Sequence, residues 1–372
     1  MCADEIWSDI YSIYTCSSEY ADSWMCISIL SIYITEGIIM NNNFNCMIYF
    51  NLRKKYRAVC YAETVRVLFL YLIINPHLID ETYFLFGYNI PKYIREIFAR
   101  DSFLLKRKKK GYLFSLFNII RCWICLPVIY FFRKLNNIPA YGQDHLKFGR
   151  FCVNRSSEFY LLEDGLGNYI NPIKILKLKN NHRLIFFCKT IYNFFRSAMD
   201  YPFGLSRSVK RIYLTGIKPV PECLLDKVEI FSIEDCWNRL LDDQKMYIKN
   251  IFIQKKYSFP KEIDVLLLTT CFSEDGFMSE EEKVAMYKCL VRELAPKELV
   301  IKPHPREMTD YRQVFKGALI MEKDIPFELC VLIYEISIKT IISVGSTSAY
   351  FGQDHKCRRV IYEEDYIYHF RK

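Results

Sequence analysis

Residues 299–307 read L-V-I-K-P-H-P-R-E, a short run of strand-forming residues that stops at Lys302, followed by His304 between two prolines and by Arg306. Each proline fixes its own φ and pushes the residue before it towards extended backbone. Pro303 and Pro305 therefore hold His304 in one rigid, non-helical presentation. Three groups that can carry positive charge stand at the end of an expected buried strand, the end at which open parallel sheets bind ligands. The chemistry suits an anion, such as a phosphate or a nucleotide diphosphate. A solvated basic turn is the plain alternative.

The pattern around this stretch repeats it. Residues 264–269 (D-V-L-L-L-T) form a continuous apolar run of the kind buried on both faces of a parallel sheet. A loop follows with Ser273, Glu274, Asp275 and Gly276. Ser279 then opens a helix with Glu282 three places on, a capping box, and Glu280, Glu281 and Glu282 occupy its positive first turn. Further strands are expected at 318–321, 340–344 and 358–362, with a short helix starting near Pro326. The strand at 340–344 (T-I-I-S-V) delivers Gly345, Ser346, Thr347 and Ser348 to the edge that carries His304. Small hydroxylated residues with free backbone N–H groups can hold phosphate oxygens there.

Upstream, apolar runs at 24–39, 46–51, 67–74 and 83–86 alternate as strand and helix, a β-α-β rhythm that favours a second, mostly parallel sheet. Strand and turn resume at 138–145 (I-P-A-Y-G-Q-D-H) and at 158–162, the latter leading into Glu163, Asp164 and Gly165. Carboxylates at a strand end can act as a base or bind hydroxyls, and can equally be an acidic turn. Strands are expected at 211–216 and 227–231, and one polar-faced helix over 233–250 with Trp237 turned inward. The linker falls at 255–260. The expected division is a loosely attached extension at 1–22, a first domain at 23–255 and a second at 261–372.

Composition narrows the class. With 372 residues, 51% of them hydrophobic and 25% charged, the chain has ample core for two domains. The net charge of +9 suits an anionic substrate or membrane surface. Its basic residues lie beside one apolar segment and at one sheet edge, not along an aromatic-basic face, so nucleic acid is not the expected partner. Fifteen cysteines in unpaired spacing indicate a reducing cytoplasm. Cys122 and Cys125 lack a second pair to complete a zinc site and are expected to be structural. Residues 1–22 lack the basic start and apolar core of a signal peptide.

The basic apolar segment 106–134 has the length and flanking charge of a membrane span, but Arg121 lies at its centre and Pro127 interrupts it. A helix lying on the inner membrane surface accounts for both features. A buried core helix and a true span stay open.

Three loops thus converge on one sheet edge: 273–276, 302–307 and 346–348. In S-E-D-G-F-M-S-E-E-E-K, V-I-K-P-H-P-R-E, D-I-P-F-E-L (324–329) and S-V-G-S-T-S, and in Y-G-Q-D-H, L-L-E-D-G-L-G-N-Y and I-Y-L-T-G upstream, the chain resembles glycosyltransferase family 52. That bacterial family includes lipooligosaccharide and capsule sialyltransferases. The resemblance covers residues 137–350, and the first 136 match in rhythm alone.

The resemblance implies an α/β GT-B architecture, two Rossmann-like domains facing across a cleft, with the nucleotide sugar held by the second. His304-Pro305 and Ser346-Thr347 match the histidine-proline and serine-threonine motifs of related sialyltransferases. Carried over, His304 would serve the departing phosphate of CMP-sialic acid and Ser346 and Thr347 would bind it. Lys302, Pro303, Pro305 and Arg306 would line the same site, and Asp324 and Ile325 would meet the base or ribose. Two acidic motifs fit the general base, with Asp275 preferred and Asp164 the alternative. The absence of any Asp-x-Asp favours a metal-independent enzyme without a cofactor. The expected acceptor is a cell-surface glycan, lipooligosaccharide or capsule, met at the inner face of the bacterial plasma membrane. Because some family members transfer glucose from a uridine nucleotide, hexosyl transfer is the runner-up. An idle capsule-assembly protein is a third possibility, and family members include homodimers.

Overall fold

The computed structural model describes residues 56–104, 138–146, 149, 152–153, 156–173, 203–255, 259–351, 357–362 and 364–370. The expected extension at 1–22, the runs at 24–39 and 46–51, the Cys122–Cys125 pair and the segment 106–134 lie outside these residues.

Seven parallel strands form the first sheet: β1 (Ala58–Ala62), β2 (Thr82–Phe86), β3 (Ser102–Leu104), β4 (Ala140–Gly142), β5 (Phe159–Leu162), β6 (Val209–Leu214) and β7 (Val228–Ile230). Their order is β3-β2-β1-β4-β5-β6-β7. Five more form the second: β8 (Glu262–Leu268), β9 (Leu299–Lys302), β10 (Leu319–Ile320), β11 (Ser337–Val344) and β12 (Arg358–Tyr362), in the order β10-β9-β8-β11-β12. Every pairing in both sheets is parallel, as the continuous apolar runs require. Each sheet reverses its winding once, between β1 and β4 and between β8 and β11. Such switch points open the crevices in which α/β sheets bind ligands. In the first sheet the loops across that point meet where Glu63 N–H donates to Gln143 Oε1 at 3.0 Å. In the second they meet where Thr270 Oγ1 donates to the Val344 carbonyl at 2.8 Å.

The helices are α1 (Val65–Ile74), α2 (Lys92–Ile97), α3 (Ile233–Asn238), α4 (Asp242–Phe252), α5 (Glu280–Leu294), α6 (Tyr311–Val314) and α7 (Phe327–Tyr334). The sequence of α1, V-R-V-L-F-L-Y-L-I-I, is apolar on every side except at Arg66, so it has no face to give to water and is buried. Thr64 caps it by accepting the Val67 N–H. Trp237 of α3 joins a single apolar cluster that includes Leu68 of α1 and Leu329 and Cys330 of α7. That cluster runs under both sheets and ties the two halves together beneath the cleft.

The helix expected over 233–250 is two helices. Leu241 is in extended backbone, the Gln244 side chain accepts its N–H at 3.1 Å, and Asp242 and Asp243 supply a new acidic first turn. A restart signal of this kind outweighs the continuous polar face. The expected capping box at Ser279 does form, with Ser279 Oγ on the Glu282 N–H and the Glu282 carboxylate on the Ser279 N–H. Such a cap contributes about 1 kcal/mol. Among the described residues no helix is long and apolar enough to cross a membrane.

Candidate active site

The histidine loop is built on a buried carboxylate. After β9 the chain turns back on itself, and Glu307 N–H donates to the His304 carbonyl at 3.0 Å. The Glu307 side chain, 2% exposed, folds under that turn. It accepts the His304 N–H at 2.8 Å, the Tyr311 hydroxyl at 2.7 Å and the Thr269 hydroxyl. Lys283 of α5 lies beneath, fully buried, with Nζ 3.5 Å from Glu307, 3.0 Å from Glu274 and 3.1 Å from Glu280. Glu274 in turn accepts the Met308 N–H at 2.7 Å. Burial alone would lower the Lys283 ammonium, but Glu307, Glu274 and Glu280 hold it above its ordinary range. This hub was not among the expected site residues. Its signal in the sequence was a lysine in phase with Met286, Tyr287 and Leu290 on the apolar stripe of α5.

His304 is held in one tautomer. Arg306 N–H donates to Nδ1 at 3.2 Å, which leaves the proton of the neutral ring on Nε2. Burial, then the nearby Arg306 and Lys302 charges, push its pKa down to about 4. The ring at neutral pH is thus an uncharged hydrogen-bond donor.

Lys302 does not present its charge to a ligand. The side chain is buried, and Nζ donates to the carbonyls of Pro303 and Lys323, each at 3.0 Å. It fastens the histidine loop to the segment that carries Asp324. Asp324 itself is partly exposed, and burial raises its carboxyl. The Ile325 side chain belongs to the core, which leaves its backbone as the part that could meet a ligand. Pro303 is buried and Pro305 partly so.

Asp275 stands at the exposed rim of the same edge. Both of its oxygens are taken by the Arg306 fork, at 2.6 and 2.8 Å, and the Cys271 thiol donates to Oδ2 at 3.2 Å. Partial burial would raise the carboxyl, but the Arg306 fork and the thiol hold it below the usual carboxylate range.

The other acidic motif faces the hydroxyl loop. Glu163 is fully buried and accepts four hydrogen bonds: from Arg66 Nη2 (2.7 Å), the Tyr169 hydroxyl (2.7 Å), and the N–H and hydroxyl of Thr215 (2.6 and 2.7 Å). It is an anchor. Asp164, partly exposed, accepts the Thr64 hydroxyl at 3.0 Å and lies 3.6 Å from His145 Nε2. The His145 ring stacks on Phe203 with centroids 5.2 Å apart. Asn168 Oδ1 gathers the N–H groups of Asp164 and Gly165. Opposite, Gly345 takes φ 66°, Ser346 N–H donates to Ser343 Oγ at 3.2 Å, and a single turn begins at Thr347. A Cβ on Gly165 would lie 3.2 Å from Thr347 Oγ1. The two halves therefore meet at these loops.

The sequence profile of glycosyltransferase family 52 matches residues 88–352, a span that holds both acidic motifs, the histidine loop and the hydroxyl loop. The chain belongs to glycosyltransferase family 52. The match begins well before residue 137, where the quoted motifs start. This family 52 glycosyltransferase is 32% identical over 301 residues to an uncharacterized protein of Haemophilus influenzae, covering 79% of this chain and 90% of the other. Two solved structures share its fold. The GT-B domain of a Photobacterium damselae sialyltransferase matches with a TM-score of 0.51 at 12% identity, over 82% of this chain and 90% of that one. An alpha/beta-galactoside alpha-2,3-sialyltransferase of Photobacterium phosphoreum matches with a TM-score of 0.51 at 12% identity, over 82% and 89%. The architecture is GT-B, as the motifs led one to expect.

Proposed function

We propose that this glycosyltransferase moves sialic acid from CMP-sialic acid to a hydroxyl of a lipooligosaccharide or capsular glycan, at the inner face of the bacterial plasma membrane and without a metal. The observation that carries it is the neutral His304, with its proton on Nε2, on the same sheet edge as Ser346 and Thr347. A donor hydrogen bond from Nε2 and the hydroxyl loop together suit a leaving phosphate. The likeness in fold to two sialyltransferases is in keeping with that donor.

The step is a single inverting displacement. Asp275 takes the proton of the acceptor hydroxyl, that oxygen bonds to the anomeric carbon, and the bond from that carbon to the phosphate oxygen breaks. CMP leaves with the electron pair, and His304, Arg306 and the N–H groups near Ser346 stabilise the charge that grows on it. In the free protein Arg306 occupies both Asp275 oxygens. The donor phosphate competes for that guanidinium and releases the carboxylate as it binds. A second choice of base, Asp164, is favoured by the closeness of its turn to Thr347.

The test is calorimetry of CMP and UDP binding in the presence of a chelator, for wild type and His304→Ala, followed by turnover of Asp275→Asn and Asp164→Asn. CMP binding that weakens in the histidine variant supports sialyl transfer. Preference for UDP would replace it with hexosyl transfer, and binding of neither would leave an idle assembly protein. Whichever aspartate variant loses turnover while still binding nucleotide identifies the base.

A further inference from the structure

Arg66 is the lone charged residue of an otherwise apolar helix, and it is used twice. Nη2 donates to Glu163 Oε1 at 2.7 Å, at the end of β5 in the first sheet. Nη1 donates to Glu328 Oε1, in the first turn of α7 in the second half. Both carboxylates are buried, at 0% and 1% exposure. Each leads directly to one wall of the cleft. Glu163 precedes Asp164, whose carboxylate is also held by Thr64 at the start of the Arg66 helix. Glu328 Oε1 accepts the Ser348 hydroxyl at 3.1 Å, next to Thr347.

We propose that Arg66 is a positioning residue that clasps the two halves, holding the Asp164 turn against the Ser346-Thr347 loop in the geometry that turnover needs. This rests on the reading that Ser346 and Thr347 receive the leaving phosphate. A guanidinium suits the task because its planar fork can serve two carboxylates at once, while a lysine ammonium is a single point charge. Two carboxylates buried near each other without the cation repel, so removal of Arg66 drives the halves apart. The apolar cluster through Trp237 keeps them connected while they tilt. Residues 304 and 346 lie in the second half alone, so nucleotide binding survives the opening.

The experiment compares full-length wild type with Arg66→Lys, Arg66→Met and Arg66→Met/Glu328→Gln. Small-angle X-ray scattering reads the separation of the halves without reference to any donor. Steady-state kinetics then use the donor nucleotide sugar that wild type accepts. We expect a larger radius of gyration in both single variants and a kcat lower by about tenfold to hundredfold, the scale set by an ångström of misplacement. Nucleotide affinity should stay close to wild type. Adding Glu328→Gln should restore melting temperature by removing one buried charge, but not kcat. A lowered melting temperature with unchanged scattering and unchanged kcat would overturn the clasp and leave Arg66 a structural residue. Should Arg66→Met fail to fold, Arg66→Lys decides by the same two readouts. If the variants open while wild type does not use CMP-sialic acid, the donor assignment fails and the clasp stands.

Discussion

Gly165 and Thr347 stand on loops that follow the two sheets and approach so closely that a Cβ at 165 would lie 3.2 Å from Thr347 Oγ1, tight enough that the neighbour must give by a few tenths of an ångström. The backbone of Gly165 is extended, with φ 161°, so any residue could adopt it. It is the neighbour across the cleft that asks for glycine. Gly165→Ala should therefore be tolerated with a small shift. Gly165→Val should lower kcat/KM by about tenfold or more through displacement of the hydroxyl loop, with little change in melting temperature. Equal kinetics for alanine and valine would show that the two loops do not close on one another during turnover.

His304 makes stability and binding depend on pH in opposite ways. Its folded pKa, about 4, lies below the ordinary value near 6.5. Its contribution to stability is therefore fully present above about pH 6.5 and is lost as pH falls towards 4, because the unfolded chain takes the proton first. The scale is roughly 3 kcal/mol at most. A phosphate dianion beside the ring raises that pKa, so from pH 8 down to about pH 6, where the phosphate's own second ionisation begins to reverse, CMP binding should strengthen and should take up a proton. Calorimetry in buffers of different ionisation enthalpy measures the uptake, which should vanish in His304→Gln.

Asp275 and Arg306 give a direct view of the proposed exchange of partners. In a carbon-13 NMR titration the Asp275 carboxyl should change protonation below the ordinary range of an aspartate, about 3.9, because of the Arg306 fork. Arg306→Ala should move it upwards. Adding CMP should move it upwards too if the phosphate draws Arg306 away. An Asp275 signal that ignores CMP would turn the assignment of the base to Asp164.

Lys283 carries the histidine loop from below. With Lys283→Met, Glu307 keeps its hydrogen bonds but loses its cation in a fully buried place, and Glu274 and Glu280 lose theirs. Breaking a buried pair in this way costs about 3–5 kcal/mol. Urea denaturation should show that loss, and nucleotide affinity should fall with it because Glu307 and Glu274 hold the N–H groups of His304 and Met308. A variant as stable as wild type would mean that the prolines and the hydrogen bonds of Glu307 and Glu274 hold the loop without the Lys283 charge.

Much of the architecture was legible because it is written in local pattern. The apolar runs of β8 and β11 need two covered faces, Ser279 and Glu282 have the spacing of a capping box, and Pro303 and Pro305 forbid a helix. Strands that run parallel must deliver their following loops to one edge, so the placing of the Asp275, His304 and Ser346 loops along the same sheet edge followed from the parallel order of the strands. The split of the 233–250 helix was less legible, because its restart at Leu241 depends on a side chain, Gln244, reaching back to one N–H.

What a charge does once the chain has folded was not legible at all. Lys302 reads as a ligand cation from its place after β9, but two backbone carbonyls take its ammonium and burial keeps it from the cleft. Lys283 and Arg66 each stand out as a charge set among apolar residues, a sign that some partner must exist. The sequence does not name that partner. Arg66 and Glu328 are 262 residues apart, and no periodicity spans that distance. The sequence by itself determined two parallel sheets and the loops at their edges, because period, caps and prolines act within a few residues. The tertiary structure alone decided which charges face the cleft and which hold it together, because burial and pairing depend on the whole fold.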